Sequence, residues 1–515
     1  MTLTFPWSYP MQVYGGLPLF AIVTLVVGSL SVLYGVCTGF LAGLMPKSGG
    51  DYVFTSRILH PALGWIEAMM TVFAILILAG YNVWAAATGF GSILYQGAGV
   101  YGASSGLMSL AAFLTQSTSW LVIGIVLLLI AAVMSFMPTK IWSTVYAWLI
   151  LLSCVATLVL ALAVLSASPA AFSANFQRFS GGMSQSDLVT TATGLGFSRD
   201  MNPLNAVTFL SLFMFTMGNT FGYTFTGYLG GEIRGDVGKT VLKAVVGGCF
   251  VIVIIVGIGN FAYWHTAGYD FLNAWSYLVA TAPTKAPYGI EPTSNLVAGI
   301  ARPDLFVPLL VCGFFAMVMF NFLVLPAYIV TASRILFAGT MDRLLPTALA
   351  KVESRTHAPL YMTAFSVVAM FISFFLIYFG VSPISTLWFY LLMAFPVFAF
   401  PALSSIILPY RRKELYQLAT GVWRRKFLGL PFPAIIGAIW LIFFIPIYVG
   451  SALVPIAQSL WGVPFSQAVS YGTSSGTVTV IVTVIVAIVW YFGAAYYHKR
   501  HGLDISLVFV QVPPD

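Results

Sequence analysis

The stretch TMGNTFGYTFTGYLGGE, residues 216–232, holds residue types that let main chain bind a small polar solute. Five of the fourteen residues from Gly218 to Gly231 are glycine, interleaved with Thr220, Thr224 and Thr226. Glycine and threonine weaken a helix, and hydrocarbon supplies no water to satisfy loosened peptide groups. Gly218 with Gly222, and Thr216 with Thr220, have the small-xxx-small spacing of closely packed membrane helices. Alternatively the helix breaks near 218–222. Its outer half would then end in free carbonyls that suit an ammonium group, and its inner half would begin with free amides. Spacing alone leaves both readings open. The candidate binding residues are Gly218, Asn219, Thr220, Phe221, Gly222 and Tyr223. Phe215 is a candidate gate, and Phe221 and Tyr223 would cover the solute or else pack against lipid and neighbouring helices.

Other polar side chains are scarce in the apolar stretches. Asn321, followed by Pro326 and Tyr328, is a candidate ion or substrate contact, with an interhelical hydrogen bond as the competing role, and Asn82 carries the same two readings. Glu67 and Glu232 fall near the ends of apolar segments, where snorkelling or helix capping is expected. His265 falls near the outer interface. The chain has no HExxH motif, no carboxylate pair at a common depth and no Ser–His arrangement, so it does not read as an enzyme. No cofactor or metal is expected, and a coupling ion, sodium or proton, is left open.

The elements that position these residues follow from composition. Of 515 residues, 60% are hydrophobic and 7% charged, where a soluble domain carries about 25% charged. Mean hydropathy is +0.96. Cys37, Cys154, Cys249 and Cys312 all lie in apolar segments and read as small buried residues. Eleven apolar segments can cross a bilayer, which takes about 20 helical residues. They lie near 16–45, 62–95, 119–137, 141–165, 206–230, 239–265, 305–336, 358–379, 384–409, 431–455 and 475–497. The net charge of +8 belongs to topology, not to nucleic acid: 18 of the 22 lysines and arginines fall in one alternating set of connections, and 4 in the other. The rule puts the C-terminus in the cytoplasm of a multi-pass cell-membrane protein, and eleven spans put the N-terminus outside. The run RRKELYQLATGVWRRK, 411–426, anchors the topology or touches anionic lipid headgroups.

Three connections carry a family pattern. MPKSGGDYVFTSRILHPALGW, 45–65, turns at Pro46 and Gly49-Gly50, and Asp51 is placed to cap a short helix lying on the inner membrane surface. It closely resembles the P-R-S/A-G-G-x-Y-x-[YF]-x-S-R-x-L loop of amino acid–polyamine–organocation transporters. SRILFAGTMDRLLPTALAKVESRTHAP, 333–359, and GYTFTGYLGGEIR, 222–234, are similar to two further segments of that family, in the same order. The resemblance implies an all-α, LeuT-type bundle with two inverted repeats and a mid-membrane site where helices one and six are interrupted. It places the unwound part of helix six at the glycine-rich stretch, which favours the break. By it, 16–165 is the remainder of the first repeat, 206–409 the second, 431–497 two additional helices and 498–515 a tail, while 266–304 corresponds to an extracellular lid.

The implied function is secondary transport of amino acids or related organic amines by alternating access. Thr224 stands where the family often has an acid, which counts against cationic substrates. The motifs number the eleven spans as family helices two to twelve, so the pattern of helix one is expected to be missing, and with it most of the carboxylate side of the pocket. The chain as written is then expected not to transport, and a receptor or binding subunit that holds a ligand without moving it is the alternative. The sixth-helix stretch would keep the ammonium side.

Overall fold

The apolar segments form helices in the computed structural model, which describes residues 17–101, 105–198, 221–354, 356, 358–381, 383, 386, 390, 392–394, 397–452 and 467–510. In chain order these are α1 (Leu17–Leu44), α2 (Asp51–Ile58), α3 (Pro61–Tyr101), α4 (Ser105–Leu114), α5 (Ser117–Ser135) and α6 (Thr139–Leu165). Two short outer helices follow, α7 (Pro169–Phe179) and α8 (Gln185–Gly194). A 3-10 helix, Phe221–Tyr228, leads to α9 (Val237–Ala267), α10 (Tyr269–Thr281) and α11 (Ser294–Ala301). Then come α12 (Phe306–Gly313), a π-helical turn at Phe314–Met319, α13 (Phe320–Met341), α14 (Leu360–Tyr378), α15 (Ala399–Arg411), α16 (Phe432–Ala452) and α17 (Gln467–Arg500). Among the described residues, nine helical stretches are long and apolar enough to cross a membrane. The expected span at 206–230 lies outside the described residues up to position 220.

Small residues decide which helices touch. Lipid provides no hydrophobic drive between helices, so association depends on close backbone approach. Helix α1 packs along α9 through Gly28, Gly35, Gly39 and Gly43. A methyl group on Gly35 would lie 1.8 Å from Val245 Cγ1, and one on Gly43 3.2 Å from Gly238 Cα. The Cys249 thiol donates to the Gly28 carbonyl across this seam at 2.8 Å. Helix α3 meets α14 at Gly80, where Ser373 Oγ donates to the Ile77 carbonyl at 2.8 Å. The four cysteines are free; Cys37 and Cys249 are buried, while Cys154 and Cys312, expected to be buried too, are partly exposed.

Helix α2 does not lie on a membrane surface. All eight of its residues are buried, and it packs on α3 and α15 with Gly64 against Ser56. Nor does Asp51 cap it: Gly50 stands at the N-cap without a side-chain bond. The amphipathic reading missed that a second layer of protein covers the polar face. At the far end of the chain, Ile505–Phe509 forms a 3-10 turn inlaid against the same region, and Arg412 Nη2 donates to the carbonyls of Phe509 (3.0 Å) and Val510 (3.1 Å).

Candidate functional site

Of the candidate binding residues, Phe215, Gly218, Asn219 and Thr220 lie outside the described residues. Phe221, Gly222 and Tyr223 are the first three residues of the 3-10 helix Phe221–Tyr228. The backbone there follows 3-10 geometry and not the α-helix of the neighbouring spans. That helix packs on α1, α9 and α13. Its Phe225 meets Tyr328 of α13 edge to face, with ring centroids 5.6 Å apart. Tyr328 is buried beside the Asn82 side chain, within electrostatic reach of Tyr146 and Tyr390. Polar groups from α3, α6, α13 and the Tyr390 segment thus converge in the apolar interior.

Asn321 is buried in the turn after the π-helix. Its Nδ2 donates to the Met317 carbonyl at 2.7 Å, inside the π segment, so the hydrogen bond is intrahelical and not the interhelical one expected. Its Oδ1 has no hydrogen-bond partner among the described residues. Asn82 donates to its own helix, at Leu78 O, 3.0 Å, and its side chain also bonds the Tyr328 hydroxyl of α13, the interhelical contact expected of it. A π turn widens the helix by one residue and is frequent at functional sites. Asn321 therefore presents a buried acceptor at a widened turn.

The three motif-bearing segments meet at one end of the bundle. Gly49 and Gly50, with φ of +102° and +48°, bring the first loop against Tyr228, and Gly49 N donates to the Tyr228 carbonyl at 3.1 Å. Ser48 and Leu229 form an antiparallel bridge, with Gly230 allowing backbone of Lys47 to approach closely. Arg57 forms a two-pronged ion pair with Asp342, at 2.7 Å from Nη1 and 2.6 Å from Nη2. The Tyr52 hydroxyl donates to the same carboxylate at 2.5 Å. Arg334 Nε bonds Glu232 at 2.8 Å. Phe509 lies under the Arg57 guanidinium, 5.1 Å from its ring centroid, and Arg412 donates to the Arg57 carbonyl. Each motif is thus tied to another by side chains that their sequence positions alone could not pair.

Asp51 Oδ2 accepts hydrogen bonds from Tyr34 (2.7 Å) and Tyr228 (3.1 Å). Burial pushes its carboxyl up to about 6, against these two bonds, which hold it down. Glu67 neither snorkels nor caps. It is 1% exposed, in the second turn of α3, beside Thr55 and within electrostatic reach of Asp51. A cavity of about 20 Å³, enough for one water molecule, lies beside Thr71, Phe225, Tyr228 and Tyr390.

A family model described as amino acid permease matches residues 7–506. Among solved structures, the crystal structure of MhsT in complex with L-phenylalanine aligns with a TM-score of 0.50, covering 87% of this chain and 95% of that one at 16% identity. No curated protein matches the sequence. The fold is the all-α, LeuT-type membrane bundle that the three motifs imply.

Proposed function

The chain belongs to the amino acid permease family, and we propose that it carries amino acids or related organic amines across the cell membrane by alternating access, with its C-terminus in the cytoplasm. The observation that carries this reading is the junction of the three motif segments. The buried Arg57–Asp342 pair and the Glu232–Arg334 pair join the first loop, the 3-10 end of the sixth-helix segment and the end of α13. Such pairs close one end of a pathway and must part to open it. The basic connections gather at this end, which supports its assignment to the cytoplasmic side.

The solute site is proposed above the junction, around the 3-10 helix, Tyr328 and Asn321, with Gly218, Asn219, Thr220, Phe221, Gly222 and Tyr223 supplying main-chain contacts and Phe215 the gate. MhsT is a protein bound to L-phenylalanine, so aromatic amino acids open the test panel. Purified protein in liposomes should accumulate at least one labelled amino acid, against the expectation drawn from the missing helix-one pattern, with unlabelled competitors ranking the class. Ligand binding without flux would replace this reading with that of a receptor.

A further inference from the structure

Asp51 and Glu67 are each 1% exposed, and neither forms an ion pair among the described residues. A buried ionised carboxylate without a cation is costly, and two in one pocket repel each other. Among the described residues, every cation nearby is engaged elsewhere or faces out. Arg57 is held by Asp342 and Arg334 by Glu232. Arg411, the last residue of α15, and Arg412 just after it donate to the carbonyls of Leu59 and Arg57, and Lys47 is partly exposed in the loop. The other titratable groups facing the pair are Tyr34 from α1 and Tyr228 from the 3-10 helix, both within reach of the two carboxyls. Asp51 Oδ1 and Glu67 Oε2 are buried oxygens with no hydrogen-bond partner among the described residues.

We propose that Asp51 and Glu67 form a proton-binding pair that holds one proton while this end of the bundle is sealed. The proton rests on Glu67, which faces one hydroxyl, that of Thr55, where the Asp51 carboxylate is held by two, those of Tyr34 and Tyr228. The water-sized cavity touches Tyr228 and also Thr71, one helical turn from Glu67, and gives the proton a route toward the interior. Losing the proton leaves two carboxylates in one dry pocket. The repulsion is relieved by drawing α2 away from α3 or by admitting water, and either loosens the Tyr228 bond that pins the 3-10 helix. The site thereby couples proton occupancy to opening. The inference rests on the transport reading for its purpose but not for its existence.

Infrared difference spectroscopy of the full chain in lipid nanodiscs tests it without any substrate. A pH titration between about 5 and 9, a range that buried carboxyls reach, should show the carbonyl stretch of a protonated buried acid at neutral pH and its loss on raising the pH. Glu67→Gln should remove that band. Tyr228→Phe, which takes one donor from Asp51, should shift the titration upward while leaving the fold intact. Hydrogen exchange of residues 45–60 should rise with pH above neutrality in the natural chain, and Glu67→Gln should lose that rise and keep only the Asp51 step at about 6. A missing band at neutral pH, a band unchanged by both Glu67→Gln and Asp51→Asn, or a band displaced by sodium at fixed pH would each overturn the proposal. Failure of flux alone would overturn the transport reading and leave this one standing.

Discussion

A guanidinium and a carboxylate that are each 2% exposed, as in Arg57 and Asp342, have no water to fall back on when separated. Arg57→Ala or Asp342→Ala strands the other charge and is expected to cost about 3–5 kcal/mol. Thermal unfolding in detergent checks this, and the double variant should lose less than the sum of the two. Asp51 links titration to stability. Its carboxyl rises from an ordinary 3.8 to about 6 on burial, so the folded chain binds the proton more tightly than the unfolded one. The stabilisation is complete below about pH 4 and is lost as pH climbs through about 6. Melting temperature should fall across that window, and Asp51→Asn should flatten the fall. Neither role was legible at the residue scale. Asp51 sits where a capping residue belongs, and Glu67 where a carboxylate at a membrane edge belongs. Their actual neighbours, Tyr34 and Tyr228, come from 17 and 177 residues away from Asp51.

At the scale of elements, apolar length sufficed to find the nine membrane-length helices among the described residues, whereas the glycine seam between α1 and α9 was not read from the sequence. Helix α2 was misplaced because its mixture of polar and apolar residues fits a membrane surface as well as a pocket covered on every side. The π turn at Phe314–Met319 left no mark in the sequence, since i→i+5 bonding has no residue signature and Asn321 alone does not announce it. Contact geometry separates glycines that the sequence treats alike. A methyl group on Gly80 would sit 2.7 Å from the Ser373 carbonyl oxygen, whereas one on Gly247 meets nothing within 4 Å. Gly80→Ala is therefore expected to cost about 1–3 kcal/mol by forcing α3 from α14. Gly247→Ala should be neutral or slightly stabilising. Unfolding temperatures of the two variants, measured side by side, decide it.

At the scale of the whole molecule, the three motifs were readable as a family pattern, but their convergence was not, because a pattern gives order along the chain and no pairing in space. The Ser48–Leu229 bridge makes that convergence testable. Bridged strands hold opposite Cα atoms about 4.5–5.5 Å apart, within disulfide range. A Ser48→Cys, Leu229→Cys double variant should cross-link on mild oxidation, and flux in liposomes should fall to background and return with reductant. Unchanged flux in a fully cross-linked sample would mean that this end need not part during transport. The inlaid Ile505–Phe509 turn has a practical corollary. A fluorescent reporter spliced directly behind Val510 would tug on carbonyls that Arg412 grips and on the ring beneath Arg57, so the tagged protein would differ from the untagged one in its resting shape.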